Sequence, residues 1–551
     1  MKYYIIAGEA SGDLHGSNLM KGIKAADSEA SFRVWGGELM EEQGGDLVRH
    51  YKETAVMGFA EVIASIVKIS SNISYCKRDL LNYKPDLLIL IDYPGFNFRI
   101  ARFAKRHNIR VFFYISPKVW AWKESRIKYL KRDIDRLFII FPFEIEYFKK
   151  HGVKAIYNGN PLIDSINSSK CHAETESQFR ARIGIDDKPI IALLAGSRTM
   201  EIKFLMPKMV QLEKEFPEHN FLLAGAPSTT EESYSKYLQG TNIRLLFGET
   251  YSILKHSKAT VLSSGTASLE AALLGTPQVV CYGGNEISFQ IAKMLVKVKY
   301  VSLVNLILNE PLVKELLQHD CTPAKIRAEL KSLMNPKRRD KIFHKYEKIK
   351  EMLGGEGASQ RVAHSMINEY NLIRKNERFS IIIKSPIGNL KIVSNNDFLL
   401  EVKYTDRPET SVIPANLPKV LTDTKQQLEE YFLNKRESFN LPISTGGTDF
   451  QQKVWKELSM IPFGKVKSYG DISRQIGEKE AHRAVGMACK MNPLLIVIPC
   501  HRVIGAHNKL TGFNIGIDKK SFLLNHEKAY ETGEATLFTE QPENMRPYDE
   551  N

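Results

Sequence analysis

The chain is poor in the features that mark secreted, metal-bound or membrane-spanning proteins. Its 551 residues hold six cysteines, Cys76, Cys171, Cys281, Cys321, Cys489 and Cys500, and no two of them form a CxxC pair. That spacing suggests neither a disulfide framework nor a zinc knuckle, and it fits a reducing cytoplasm. No window approaches the roughly 18–20 apolar residues needed to span a bilayer. Met1-Lys2 runs directly into a short strand and Gly8, so the apolar core of a signal peptide is missing as well. Acidic residues are in the minority: 63 Asp and Glu against 77 Lys and Arg leave a formal charge of +14. That excess favours a polyanionic partner, nucleic acid or an anionic membrane face, without choosing between them. With 43% hydrophobic and 25% charged residues the chain is globular, and its length predicts three or four domains. Neither a metal site nor a cofactor is expected.

What is present is a recurring unit of strand, glycine turn and helix. Residues 189–198, PIIALLAGSR, form an apolar run of strand length that ends in a turn, and the apolar residues of 200–216 then recur at helical spacing. Such a turn delivers Gly196, Ser197, Arg198 and the first free amides of a helix to the carboxyl end of a parallel sheet, where phosphates are commonly held. An ordinary strand-to-helix turn with a surface arginine is the alternative. A similar unit opens the chain, with a strand at 3–7, then Gly8-Glu9-Ala10-Ser11-Gly12-Asp13, then a helix at 14–26. The glycines there allow a ligand close to the backbone, and Ser11 and Asp13 are natural caps for the helix start. Further strands are expected at 32–36, 84–92, 111–116, 137–142, 220–225, 243–246 and 259–262, with helical patterns between most of them. The fold class is therefore α/β, with a doubly wound sheet in each of two halves, 1–161 and 162–370.

Asp92 ends its strand and either faces the ligand crevice of such a fold or caps the next helix. Residues 116–122, SPKVWAW, place two of the four tryptophans beside a proline. The amphipathic stretch 56–75 reads as a core helix or as an apolar flap dipping into a membrane surface, near Lys77, Arg78, Lys105, Arg106, Lys123, Arg126, Lys128, Lys131 and Arg132. Ser264, Gly265, Thr266, Ala267 and Ser268 at a helix start could offer donors to a diphosphate, and Glu270 could accept from ribose hydroxyls; a plain capping loop is the other reading. Asn305 could read a base or sugar edge.

In order along the chain stand GEASGD (8–13), AVMG (55–58), ID (91–92), SPKVWAW (116–122), GSR (196–198), SGTASLE (264–270), YVSLVNL (300–306) and LVKELLQ (312–318). This series resembles the lipid-A-disaccharide synthases, glycosyltransferases of the GT-B architecture with two Rossmann-like domains. The resemblance implies that UDP-2,3-diacylglucosamine donates its sugar to the 6-hydroxyl of 2,3-diacylglucosamine 1-phosphate with inversion. It further implies a peripheral position on the anionic inner face of the inner membrane of a Gram-negative bacterium. In that chemistry Asp92 is the candidate base, Arg198 and the 264–268 turn stabilise departing UDP, and Glu9 and Asp13 are the runner-up carboxylates. Gly95 stands where the family usually has a second acid, Ala195 where it has Pro, and Asn160 where it has His. A GT-B sugar-nucleotide epimerase is the alternative for this half.

Beyond a linker at 371–378 the pattern changes. Hairpin strands at 379–384, 390–394 and 398–404 give a small antiparallel sheet in a segment 379–445, and helices dominate 446–532, one of them capped by Thr448. Residues 496–503, IVIPCHRV, fix a cysteine after an apolar strand and a proline, and a nearby histidine can make it a thiolate. GKVKSYGDIS, HRAVGMACKMNP, IPCHRVIG, TGF and LLNHE follow in the order seen in methylated-DNA-protein cysteine methyltransferases, which this part resembles. The resemblance implies an α+β module with a helix-turn-helix at 470–476 and 481–490, acting on double-stranded DNA. Cys500 would be the alkyl acceptor, His501 its base, Glu527 the orienter of the imidazole, and Tyr469 the group assisting the leaving guanine oxygen. On the DNA side, Arg483 would fill the gap left by a flipped base and Asn492 would brace the turn joining helix and site, while Ala484, Gly486 and Ala488 keep the second helix slim. Phe513, Asn514 and Ile515 depart from the family and imply a narrower pocket. The alternative is a module that binds lesions without repairing them. Residues 533–551, polar and acidic with Pro542 and Pro547, are expected to be a disordered tail.

Overall fold

The computed structural model describes residues 1–54, 62–120, 124–284, 299–409 and 417–528, and in 54–68 the backbone alone where it is helical. Two compact units result, Met1–Glu369 and Tyr370–Asn551. The first is built on two parallel sheets. One contains β1 (Lys2–Ala7), β2 (Ser31–Gly36), β3 (Gly45–His50), β4 (Leu87–Ile91), β5 (Arg110–Tyr114), β6 (Arg136–Ile139) and β7 (Ala155–Tyr157), in the order β3-β2-β1-β4-β5-β6-β7. The other contains β8 (Ile190–Leu194), β9 (Asn220–Gly225), β10 (Arg244–Phe247), β11 (Ser257–Ser263), β12 (Gln278–Tyr282) and β13 (Lys314–Leu317), in the order β10-β9-β8-β11-β12-β13.

Helices cover these sheets, so their central strands are buried on both faces and are written as unbroken apolar runs: LLILI in β4 and IIALL in β8 have no exposed residue. Each sheet reverses its strand order once, between β1 and β4 and between β8 and β11. A crevice opens at the carboxyl ends of strands at such a reversal, and ligands of this fold class bind there. Gly8–Asp13 follows β1, Asp92 follows β4, Gly196–Arg198 follows β8 and Ser264–Glu270 follows β11. The helix Ala358–Asn376 returns from the second sheet to the first: Ala363 lies against Gly22, where an added Cβ would come within 2.9 Å of it. Asp164 caps the start of this return by accepting from the amides of Gly357 and Ser359, both at 2.7 Å.

Of the stretch 56–75, residues 55–61 lie outside the described residues. The rest continues as the helix Val62–Tyr83, which buries Ile73, Cys76 and Leu80 in the core of the first sheet. From residue 69 onward the core-helix reading therefore holds. Ala121, Trp122 and Lys123 also lie outside the described residues, as does the tail 533–551. Among the described residues no helix is long and apolar enough to cross a membrane.

In the second unit β14 (Phe379–Ile383), β15 (Leu390–Ser394) and β16 (Leu399–Tyr404) form the antiparallel sheet. The helix Lys419–Phe432 packs on this sheet, and the helices Asp449–Ser459, Tyr469–Gln475, His482–Lys490 and Ile517–His526 follow, the first three of them packed on one another. A single core joins Ile392 and Val402 of the sheet to Leu428, Tyr431, Val454, Val485, Ile498 and Leu523. The free edge of β16 anchors the segment that leads to the reactive cysteine: Val402 donates to Pro493 O at 2.9 Å and accepts from Leu495 N at 3.0 Å.

Candidate active sites

In the first unit the geometry converges on Asp92. Asp92 and Tyr93 both adopt left-handed backbone conformations, with φ of 41° and 47°. For non-glycine residues each costs on the order of 1–3 kcal/mol. Asn97 holds the turn: buried, it donates through Nδ2 to Asp92 O at 2.7 Å and to Ile91 O at 3.3 Å. Pro94 then begins the helix Pro94–Arg106. The Asp92 side chain makes no cap to this helix, which excludes the capping reading. Its carboxyl is pushed up to about 6 by burial, with Lys118 drawing it down and Glu9 pushing it up.

The opening turn packs directly on this feature. A Cβ on Gly8 would stand 2.3 Å from the Tyr93 ring, and one on Gly12 would stand 3.0 Å from Ala7. The close approach these glycines allow is therefore to the protein's own chain. Glu9 and Ser11 are exposed at the mouth of the turn. Asp13 corrects the sequence reading: it is buried and caps the helix Glu38–Glu42 rather than its own, accepting from Gly37 N at 2.7 Å and from Leu39 N and Met40 N at 3.1 Å. With both oxygens engaged it is no substitute for Asp92.

Across the second sheet, Gly196 has φ of 94° and a Cβ there would fall 2.2 Å from the Glu201 carboxylate. The amides of Ser197 and Arg198, expected to be free, donate to Glu201 Oε2 at 3.1 and 3.4 Å. A carboxylate of the chain itself thus occupies this helix start, and the Arg198 side chain is 79% exposed, reaching only to 3.9 Å from Glu201. In the next loop Ser264 Oγ donates to Val301 O at 3.0 Å, and buried Ser268 donates to Gly265 O at 2.9 Å, so both hydroxyls are tied into the loop. Thr266 is exposed, Ala267 is half-buried, and Gly265 has open space on its Cβ side. Among the described residues Glu270 has no hydrogen-bond partner, and burial pushes its carboxyl up to about 7. Asn305 is a second correction. It is 1% exposed, donates to Val313 O and to Glu315 Oε1, both at 2.9 Å, and accepts from Val313 N at 3.0 Å, leaving nothing to read a ligand. Asn160, the family's His position, caps the helix Pro161–Asn167 by accepting from Leu162 N at 2.9 Å.

In the second unit Cys500 ends a tight turn in which Ile496 takes φ of 72°. Asn492 is buried inside that turn rather than on a DNA-facing surface: it donates to Ile498 O at 2.8 Å and to Cys500 Sγ at 3.1 Å and accepts from Leu494 N at 3.0 Å. His501 is fully buried and its Nε2 lies 2.8 Å from Glu527 Oε1. Glu527 also accepts from Arg502 at 2.8 and 3.0 Å and from Tyr431 Oη at 2.7 Å. Burial alone would raise the Glu527 carboxyl, but His501 and Arg502 hold it well below the usual carboxylate range. Burial lowers His501 in turn, so the resting imidazole is neutral. With Nε2–H donated to an ionised Glu527, Nδ1, buried and unpartnered, is left as the acceptor. Burial raises the Cys500 thiol, against the pull of Asn492 and Lys520.

Lys520 was not legible in the sequence except as a lysine on the Leu523 and Leu524 face of its helix. It is fully buried, donates to Val503 O at 2.6 Å and Thr511 O at 2.9 Å, and is driven down to about 8 by burial. Tyr469 Oη donates toward Thr511 O at 3.2 Å and Gly512 O at 3.3 Å, and burial pushes it up to about 12. Arg483 and Ala484 are exposed on the helix His482–Lys490. Ala488 faces inward, where its carbonyl accepts from Trp455 Nε1 at 2.9 Å, so it serves packing and not a groove. Phe513 and Ile515 pack against the core and Asn514 is exposed. No group of His, Cys, Asp or Glu able to hold a metal occurs among the described residues.

Both units resemble known proteins. A family model described as lipid-A-disaccharide synthetase matches residues 3–369. Models of the ribonuclease-like and DNA-binding domains of 6-O-methylguanine DNA methyltransferase match residues 379–445 and 449–529. Lipid-A-disaccharide synthase of Trichlorobacter lovleyi is 35% identical over 371 residues, spanning 65% of this chain and 95% of that protein. UDP-GlcNAc 2-epimerase from Neisseria meningitidis shares the fold at 14% identity, with a TM-score of 0.51 over 67% of this chain and all of that one. The O6-methylguanine methyltransferase of Mycobacterium tuberculosis is 39% identical, covering 29% of this chain and 99% of that one with a TM-score of 0.26.

Proposed function

Because the chain belongs to the lipid-A-disaccharide synthetase family, matched over residues 3–369, we propose that its first unit transfers 2,3-diacylglucosamine from UDP to 2,3-diacylglucosamine 1-phosphate. The observation that carries the assignment of roles is Asp92, a carboxyl at a strand reversal with no ion-pair contact among the described residues and its pKa near 6. Its base form takes the proton of the acceptor 6-hydroxyl as that oxygen attacks the anomeric carbon. The bond to UDP breaks on the opposite face, giving inversion. Arg198 and the helix start at Ser197 receive the departing diphosphate, which takes over the amides that Glu201 holds at rest. Glu270, unpaired beside the Ser264–Ser268 loop, is the acceptor for ribose hydroxyls. The decisive experiment is Asp92→Asn, which lowers disaccharide formation by about 10²–10⁴-fold while UDP still binds; a rate near that of the wild type removes Asp92 from the role.

Basic residues Lys105, Arg106, Arg126, Lys128, Lys131 and Arg132 lie on or beside the helices Pro94–Arg106 and Ile127–Asp133. They support a peripheral contact with an anionic membrane face, where acylated substrates reside. Flotation with phosphatidylglycerol vesicles, lost in salt, tests it.

The second unit carries both domains of a 6-O-methylguanine DNA methyltransferase. Its chemistry follows from the Cys500–His501–Glu527 set. The Cys500 proton passes to His501 Nδ1 as sulfur attacks the alkyl carbon, the carbon–oxygen bond to guanine breaks, and Tyr469 protonates the leaving oxygen. The S-alkyl bond is not hydrolysed, so each chain acts once. Cys500→Ser ends transfer of label from methylated DNA to the protein; continued labelling assigns the reaction to another cysteine.

A further inference from the structure

Glu144 lies outside every motif discussed above, in the first turn of the helix Phe143–Lys150, and it is 1% exposed. Its carboxylate accepts from Ser116 Oγ, from Trp120 Nε1 at 3.0 Å, and from the amides of Phe141 at 3.1 Å and Ile140 at 3.3 Å. Every one of these partners is a donor, so the ionised form is the one that satisfies them. One helical turn further, Tyr147 Oη donates to Val119 O at 3.2 Å. The same helix thereby holds the loop that follows β5 at three points, Ser116, Val119 and Trp120. Lys118 is the exposed residue between them. The loop begins beside Asp92, whose amide donates to Tyr114 O at 3.2 Å, and Lys118 is the positive charge that acts on the Asp92 carboxyl, the other charged group there being Glu9 at the start of the first helix. The loop leaves β5 through Ile115, a β-branched residue at φ of 62°, a conformation that persists only under external restraint.

We infer that Glu144 is a positioning residue for glycosyl transfer: it pins the 116–120 loop so that Lys118 stays against Asp92 and keeps the base ionised. This rests on the assignment of Asp92 as base. Burial holds the Glu144 carboxyl up at about 7 even against the pull of its four donors, while Tyr157 is the titratable group that faces it from β7. A tether of this kind acts on the pKa of Asp92, and that separates it from a merely structural carboxylate. If Lys118 drifts away, the Asp92 pKa rises, and because the base must be ionised the acid limb of the rate profile moves to higher pH.

The test is the acid limb of kcat/KM against pH for the full chain, with melting temperature as the measure of folding. Lys118→Met is expected to raise the limb by on the order of one pH unit. Glu144→Gln is expected to raise it in the same direction, and the double variant to go no further than Lys118→Met alone. A limb that stays in place in either single variant, or shifts that add in the double, overturns the inference. Should Glu144→Gln not accumulate, Trp120→Phe and Tyr147→Phe each remove one tether and are judged by the same limb. Failure of the underlying assignment looks different: the wild-type chain makes no disaccharide, or Asp92→Asn keeps turning over at a rate near that of the wild type.

Discussion

A carboxyl group with a pKa near 6 titrates where its conversion to base can be followed at ordinary pH. For Asp92, kcat/KM is expected to fall tenfold per unit below about pH 6 and to level above it, and Asp92→Asn to lower transfer by about 10²–10⁴-fold with UDP affinity kept. Both are read from rate profiles and equilibrium UDP binding. Glu527 is depressed instead of raised, so the sign of its contribution is the reverse. Its stabilisation is complete above the unfolded carboxylate pKa of about 4.3 and is lost as pH falls through the lower folded value. Glu527→Gln leaves the nearly buried Arg502 without its anion and should cost about 3–5 kcal/mol, measured by urea unfolding at neutral pH. Asp92 stands out in the sequence because it ends an apolar strand, and Cys500 because of its Pro-Cys-His setting; the strand expected before Cys500 is instead a turn through Ile496. Lys520, Glu144 and the caps Asp13 and Asn305 were not legible. A charged or amide side chain in a helix reads as solvated until tertiary packing supplies its partners.

At the level of elements, Gly8 and Tyr93 make two strand ends share one space. Gly8→Ala puts a methyl group 2.3–2.6 Å from the Tyr93 ring, so the turn that carries Asp92 must shift. The expected result is a kcat reduced by ten-fold or more with UDP affinity little changed, checked against the melting temperature; an unaffected kcat would show that the two turns move independently. The strands flanking the crevices were legible as unbroken apolar runs, since burial on both faces dictates that composition. Strands β3, β7 and β13 were not, and all three lie at sheet edges. GDLVRH in β3 carries polar residues because water reaches one side. The turn at Gly196 was legible from its glycine, but the carboxylate that takes the amides of Ser197 and Arg198 comes from Glu201, whose reach depends on side-chain direction and not on spacing.

Two compact units with separate cores carry two unrelated chemistries on one chain. Their sites share no residue, so Cys500→Ser should leave disaccharide synthesis at the wild-type rate and Asp92→Asn should leave stoichiometric alkyl uptake intact. Assaying both reactions on each variant checks this, and loss of one activity with the other would reveal coupling. The change from one fold to the next was legible as a shift from alternating strand and helix patterns to hairpins. Its exact seam was not, because the seam falls within the helix Ala358–Asn376. That helix gives Ala363 to the packing of the first unit and Arg374 to an ion pair with Asp397 in the second. Anyone wishing to isolate the glycosyl-transferring half should therefore place the scissors after Asn376: severing the chain at 369–370 would interrupt a run of main-chain hydrogen bonds and fray the return helix at its own end.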